Sequence, residues 1–396
     1  MHISKKNCTF AAVFDRNDTY SMIKREILPL IESELRPQKA VLIYGARRVG
    51  KTVLIGRMAE VFSGHVNVLN GEDFSTEVLL QERSVAHYRQ LFGDTDLLII
   101  DEAQHINDIG LILKMLVDNV PGLAVIASGS SSFELRNFAG EPLVGRSYEF
   151  QLFPLSVSEL LAQTTRVQLM QNIETLLLYG QYPELVSIPE PERKQRYLNE
   201  LAQAYLLKDI LSVDGIKNSS KMMQLLQLLA FQAGSEVSYE ELASKLGLSR
   251  NTVEKYIDLL TKTFVIYRLS AFSRNPRKEV SKPGKIYFCD NGIRNAVIGD
   301  FRPLALRQDV GALWENFIIS ERRKRQQNRG ILSRHYFWRT YNGQEIDLIE
   351  ETNGELKAFE FKWGKHMPSV PSAFAEMYPD AHYQVVNQSN MLDFCL

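Results

Sequence analysis

Gly45-Ala46-Arg47-Arg48-Val49-Gly50-Lys51-Thr52 is the stretch from which the rest of the chain can be read. It follows the apolar run Val41 to Tyr44 and precedes a helix-like segment, Val53 to Val61, so the pattern G-x-x-x-x-G-K-[ST] stands where a strand passes into a helix. Glycines there let backbone N–H groups curl around phosphates at a helix N-terminus, where unpaired amides and the helix dipole favour an anion. A phosphate-binding loop is therefore expected over residues 45–52. Ala46, Arg47, Arg48 and Val49 form its arch, Lys51 bridges the β- and γ-phosphates, and Thr52 ligates Mg²⁺.

Leu97-Leu98-Ile99-Ile100-Asp101-Glu102 carries two carboxylates to the C-terminal end of a buried strand, the edge at which α/β sheets bind ligands. Asp101 is expected to hold the Mg²⁺ and Glu102 to act as general base toward an attacking water. Between Ala40 and Pro154 the apolar runs Val41 to Ile43, Val66 to Leu69, Leu97 to Ile100 and Leu123 to Ala127 alternate with longer helical stretches, which predicts a parallel sheet. The fourth run ends in Ser128-Gly129-Ser130-Ser131-Ser132; Ser128 is a candidate for positioning water near the γ-phosphate, the other reading being a serine-rich turn. Gly145-Arg146 offers a guanidinium to a transferring phosphoryl group, in cis or from a neighbouring copy, with a plain surface arginine as the alternative.

Upstream, Met22, Ile23, Ile27, Leu30, Ile31 and Leu35 fall at helical spacing and stop at Pro37. Downstream, residues 156–230 read as an all-helical subdomain broken around Pro183, Pro189 and Pro191. A helix from Glu240 to Leu246, a Gly247 turn and a second helix opening at Ser249 make a helix-turn-helix, with Phe264 to Leu269 and Lys285 to Phe288 as the strands of a wing. Arg250, Asn251 and Lys255 suit phosphates and base edges, although Glu254 and Asp258 share their helix. The loop between the strands sets Arg274, Arg277, Lys278, Lys282 and Lys285 against Glu279. DNA contact is one reading of this unit, and a protein contact or hinge is the other.

Near the C-terminus, Asn353-Gly354 is a two-residue hairpin signal. Such a turn sets Ile346 opposite Phe361 and Leu348 opposite Phe359 on an apolar side, with Asp347 opposite Glu360 and Glu345 opposite Lys362 on the other. Two opposed carboxylates repel unless a cation or proton lies between them, and Mg²⁺ is the expected occupant. Lys362 would then orient a water or stabilise a pentavalent phosphate; the alternative is a solvent-facing hairpin decorated with charge.

The whole chain sets bounds on these readings. Its 396 residues are enough for two to four domains. With 46 Lys and Arg against 47 Asp and Glu, the net charge of −1 excludes a histone-like surface and an acidic tail. Cys8, Cys289 and Cys395 are too far apart in sequence for a disulfide framework or zinc-ligand spacing. After Lys5 and Lys6 the apolar stretch Phe10 to Phe14 is shorter than the roughly 7 residues of a signal-peptide core. No stretch approaches the ~18 apolar residues of a membrane helix, so a cytoplasmic protein without a membrane partner is expected.

The succession of Gly-Ala-Arg-Arg-Val-Gly-Lys-Thr, Leu-Leu-Ile-Ile-Asp-Glu-Ala-Gln, Ala-Ser-Gly-Ser-Ser, Val-Gly-Arg-Ser, Phe-Pro-Leu-Ser, a winged helix and Lys-Ile-Tyr-Phe-Cys-Asp-Asn-Gly resembles the prokaryotic AAA+-type ATPases of the STAND and archaeal-ATPase kind, over nearly the full chain. Arg146 and Pro154 fall on the Gly-Arg and Pro-Leu-Ser positions. The resemblance implies ATP as the nucleotide. It also implies an α/β fold with four parts: a P-loop NTPase sheet over residues 1–155, a helical subdomain over 156–230, a winged helix-turn-helix over 231–300 and a restriction-nuclease-like α/β domain over 301–396. The last part is, in that family, a domain of unknown function similar to PD-(D/E)XK nucleases. Their pattern of a helical Glu, an Asp and Glu-x-Lys falls on Glu315, Asp347, Glu360 and Lys362, with a second Mg²⁺ or Mn²⁺ held by Asp347 and Glu360. No second sensor arginine stands out in the helical subdomain. The function implied is an ATP-hydrolysing switch associated with DNA; the alternatives are an ATP-gated, metal-dependent DNA endonuclease and an ATP-controlled signalling or assembly scaffold. Homo-oligomers are a further possible partner.

Overall fold

Apolar runs buried on both faces belong in the interior of a covered parallel sheet. β1 (Ala40–Tyr44), β3 (Leu97–Asp101) and β4 (Ala124–Gly129) are buried at every position. With β2 (Val66–Asn70) and β5 (Ser147–Gln151) they form a five-stranded sheet in the order β2-β3-β4-β1-β5, parallel throughout. The computed structural model describes residues 23–130, 143–211, 219–273 and 284–396. Lys5, Lys6, Cys8, Met22, the serines after Ser130, Glu279 and the wing-loop cations Arg274, Arg277, Lys278 and Lys282 lie outside those residues.

Before the sheet comes α1 (Leu28–Glu34). It starts later than the expected Met22 because Pro29 lacks an N–H and fits only a helix's first turn. α2 (Lys51–Val61), α3 (Phe74–Gln81), α4 (Val85–Phe92) and α5 (Ile109–Asn119) connect the strands. Strand periodicity divides the core: Val41, Ile43, Ile99 and Ile126 pack with Leu54, Ile55 and Met58 of α2. Leu42, Ile100 and Val125 pack on the other face with Tyr88 and Phe92 of α4 and with Leu113 and Leu116 of α5.

α6 (Val157–Leu161), α7 (Arg166–Gln171), α8 (Ile173–Tyr179), α9 (Pro191–Leu211) and α10 (Ser219–Phe231) follow. α11 (Tyr239–Leu246) ends on left-handed Gly247, and Ser249 caps α12 (Arg250–Lys262) by accepting from the Thr252 N–H. β6 (Ile266–Ala271) and β7 (Lys285–Phe288) are antiparallel. α13 (Asn291–Ile298) and the long α14 (Val310–Asn328) lead into β8 (Arg334–Arg339), β9 (Glu345–Thr352), β10 (Glu355–Phe361), α15 (Ser372–Met377), β11 (His382–Val386) and α16 (Met391–Cys395). β6 pairs with β8, so a single six-stranded sheet, β11-β10-β9-β8-β6-β7, runs across the division expected at residue 300.

The hairpin turns at Asn353 and Gly354, both with positive φ, and its register is the expected one from Glu355↔Thr352 to Phe359↔Leu348. Beyond that point the expectation fails. Tyr336 of β8 pairs with Ile349 but Trp338 pairs with Ile346, which puts one extra residue into β9. Ile346 therefore joins Ile349, Trp338, Ala358 and Phe374, whereas Leu348 packs with Phe359 and Phe361 in the main core. The Phe361 N–H donates to the Asp347 carboxylate at 2.8 Å instead of continuing a ladder opposite Ile346.

α8 and α13 meet with no room for side chains. A Cβ on Gly180, which has φ of 72°, would lie 2.0 Å from the Asp290 carboxylate, and one on Gly292 would lie 2.1 Å from the Tyr179 carbonyl. Asp290 caps α13 through the N–H groups of Gly292 and Ile293 and also accepts from the Gln181 N–H at 2.8 Å. Gly292→Ala is expected to cost about 3 kcal/mol or more, because backbone on both sides must shift. Urea denaturation measures this, and an unchanged midpoint would contradict so close an approach.

Candidate nucleotide site

Parallel strands deliver their C-terminal ends to one edge of a sheet, and that edge is where the predicted loop and carboxylates meet. The loop leaves β1 at Gly45, where a Cβ would fall 2.3 Å from the Leu152 carbonyl. It enters α2 through Gly50, whose φ of 96° is costly for any other residue. Ala46 and Val49 are buried, Arg47 is half-buried, and Arg48 is exposed. Arg48 pairs with Glu184 at 3.3 Å, on the turn after α8. The buried Lys51 ammonium donates to the carbonyls of Gly45 and Ala46 at 3.0 and 3.2 Å. Thr52 Oγ1 donates to Asp101 Oδ2 at 2.7 Å.

Asp101 Oδ1 takes the Ser128 hydroxyl and the Glu102 N–H, the latter at 3.0 Å. Ser128 is fully buried on the neighbouring strand and thus ties the two carboxylate positions together. Glu102 has a left-handed backbone, with φ of 48°. Its side chain is held by Gln104 Nε2 at 2.6 Å. Thr52 and Asp101 together present a hydroxyl and a carboxylate oxygen, the donor chemistry that Mg²⁺ prefers.

Arg146 is not part of this constellation. It precedes β5, whose first residue Ser147 pairs with Ala40 at the start of β1, whereas the loop follows the end of β1. The separation along the strand is roughly 13 Å. Its guanidinium instead pairs with Asp118 at 2.7 Å, so the in-cis role is withdrawn.

Two features of the site escaped the sequence reading. The first is a cavity of about 710 Å³ beside Gly50, lined by Ile23, Leu28, Val53, Leu54, Pro183 and Val186 with Arg57 and Glu184. Its volume is that of a small-molecule pocket. Besides the loop residues Val49 and Gly50 and the start of α2, its walls come from segments near residues 23–28, 155–163 and 183–187, which carry no nucleotide-binding motif. The second is Arg25, which is only 8 % exposed. It donates to the Val49 carbonyl inside the loop at 2.7 Å, to the Phe153 carbonyl at 2.6 Å and to Glu159 at 2.9 Å. Glu159 also accepts from the backbone N–H groups of Glu26 and Ser156, each at 2.9 Å, closing a capping box on α6. Its Ser156-x-x-Glu159 spacing was the available clue.

The C-terminal acids are brought together in part. Glu315 on α14 and Asp347 on β9 meet, but the cation among them is the ammonium of Lys285, from β7. Lys285 is 2 % exposed. It pairs with Glu345, lies 3.3 Å from Glu315 and stands 3.9 Å from Asp347. Reading Lys285 as part of a DNA-facing wing is thereby corrected. The Tyr287 hydroxyl, two residues along the same strand, donates to Glu315 at 2.6 Å. Burial, reinforced by Asp347, pushes the Glu315 carboxyl up to about 8, against the pull of Lys285 and Tyr287. Burial also raises Asp347 and Glu360. For Lys285 burial acts downward, but Glu315, Asp347 and Glu345 outweigh it and hold the ammonium charged. Lys362 pairs with Glu360 at 2.6 Å. Among the described residues no group of three or more His, Cys, Asp or Glu is placed to hold a metal ion; where a second Mg²⁺ or Mn²⁺ was expected, Asp347 accepts from the Phe361 N–H and Glu360 pairs with Lys362.

Residues 37–161 match the AAA domain, residues 170–303 a domain of unknown function (DUF8612), and residues 310–393 a second domain of unknown function (DUF4143). The chain is 27% identical over 347 residues to an uncharacterised protein of Mycobacterium tuberculosis, covering 86% of this chain and 74% of the relative. An uncharacterised protein of Methanocaldococcus jannaschii is 25% identical over 347 residues, covering 82% of this chain and 75% of its own length. Among solved structures, a signal transduction ATPase with numerous domains (STAND) with a tetratricopeptide repeat sensor, from Pyrococcus horikoshii, aligns at a TM-score of 0.30 with 14% identity, over 77% of this chain and 47% of that one. That overlap is too loose to transfer any of its properties. No helix among the described residues is long and apolar enough to cross a membrane.

The Arg25–Glu159 contact gives a direct test. Arg25→Met leaves a buried carboxylate without its counter-charge and is expected to cost about 3–5 kcal/mol. Adding Glu159→Gln should recover part of that loss in a double-mutant cycle. Strict additivity in chemical denaturation would show that the two residues are not coupled.

Proposed function

We propose that this chain is an ATP-driven molecular switch whose AAA-type domain binds and hydrolyses ATP and passes its nucleotide state to the C-terminal half. The observation that carries the reading is the 2.7 Å contact between Thr52 and Asp101, made at the mouth of a glycine-framed loop. The base and ribose occupy the cavity beside Gly50 and Val53, and the phosphates lie on the backbone N–H groups of residues 45–52. Lys51 exchanges its two loop carbonyls for phosphate oxygens. Thr52 and Asp101 would hold Mg²⁺, which would supply charge neutralisation on the phosphates. Glu102, swung from Gln104, accepts the proton of the attacking water, and Ser128 fixes the spacing of the two acids.

The helix-turn-helix is the output surface, and three cations of α11 and α12 are already paired with acids. Arg250 pairs with Glu240 at 2.8 Å, Lys245 with Glu241 at 2.6 Å and Lys262 with Asp258 at 2.8 Å. Cations already matched by acids on their own face have little net charge left to exchange for the counterions of a duplex. A trans role for Arg146 requires a second copy, which turnover that rises with protein concentration would reveal.

Lys51→Ala is expected to weaken ATP binding by about 100-fold or more, since the charge that faces the phosphates is lost. Glu102→Gln should keep ATP affinity and lower turnover by about 100-fold or more. Isothermal titration and phosphate release separate the two effects. Unchanged affinity in Lys51→Ala would overturn the site, and undiminished turnover in Glu102→Gln would remove that residue from the chemistry.

A further inference from the structure

The C-terminal acids raise a question that the nucleotide site does not answer. Glu315, Glu345 and Asp347 come from a helix and a strand of the C-terminal half, yet their counter-cation comes from β7, ahead of both in sequence. β7 lies at the outer edge of the six-stranded sheet, with β6 and β8 between it and β9. Lys285 nevertheless reaches Glu345 and Glu315 directly, with its ammonium 5.5 Å from the centre of the Phe337 ring. The bulge in β9 makes the meeting possible, because it directs Asp347 out of the regular ladder, where the Phe361 N–H fixes one of its oxygens at 2.8 Å. Tyr287 shares a strand face with Lys285, two residues on, and engages Glu315 at 2.6 Å. Lys362 is drawn off to Glu360.

We propose that the Lys285 ammonium is the resident cation of the Glu315, Glu345 and Asp347 carboxylates, fastening β7 to α14 and β9. A divalent ion coordinated by Glu315 and Asp347 would need their oxygens at about 2.1 Å, in space an ammonium already contacts, and the like charges would oppose it. The cluster thus acts as an ionic clasp between the two halves of the second sheet.

The test uses the full-length protein without nucleotide. Mn²⁺ titrations followed by electron paramagnetic resonance compare wild type with Asp347→Asn, and the two should give the same binding curve. Mn²⁺ binding in wild type that Asp347→Asn removes would overturn the proposal. In parallel, Lys285→Met should lower the thermal midpoint by about 5 °C or more, as removal of one partner of a buried ionic set does. Adding Glu345→Gln and Asp347→Asn in that background should restore part of the loss. A Lys285→Met midpoint equal to wild type would equally refute the clasp. The Mn²⁺ comparison needs no Lys285 variant, so it decides the matter even if Lys285→Met does not fold.

Discussion

A guanidinium taken out of water must find acceptors for its donors, and Arg25 finds them on three different parts of the chain at once. One is the phosphate loop, one the segment after β5, and one the first helix of the helical subdomain. The same constraint recurs one step on. The buried Lys324 of α14 binds Glu321, the Leu155 carbonyl and the Gln181 side chain, while Glu321 accepts from the Val157 N–H. Gln181 in turn donates its N–H to Asp290, the cap of α13. Each buried ion has at least one partner on another element, so moving one element apart from the next would leave polar groups uncompensated in a poor solvent. This gives the proposed switch its physical content: a loop that closes on phosphate pulls on Val49, and Val49 is held by an arginine whose other contacts lead toward the C-terminal half.

What could be read from the sequence was what local chemistry decides. A glycine that must approach a carbonyl, a serine able to cap a helix and an Asn-Gly pair able to turn a hairpin act within a few residues, and Gly45, Ser249 and Asn353 do so here. The two carboxylates ending β3 were legible for the same reason, since strand direction alone places them on the loop's edge of the sheet.

What escaped was decided by distant segments. The hairpin register holds to Leu348 and fails beyond it because β8, on the other side of β9, imposes the extra residue. Gly145-Arg146 says nothing about which end of the sheet it will occupy, and that end depends on β5 pairing with β1. In sequence, Lys285 reads with the loop cations before it, as a lysine after a polar stretch invites. Yet it opens a strand whose every position is buried, and the period-two match with Tyr287 marked a polar face turned inward. Arg25 had no motif to announce it.

The pairing of β6 with β8 also bears on how the molecule is made. Ala271 meets Phe337 across a long intervening stretch that includes α13 and α14. During synthesis at about 5–20 residues per second, β6 waits on the order of several seconds for its neighbour to emerge from the ribosome. Throughout that interval its outer edge is an open template for other strands, and the lysine on β7 waits still longer for Glu345 and Asp347. The second sheet therefore closes only once the C-terminal half has been made.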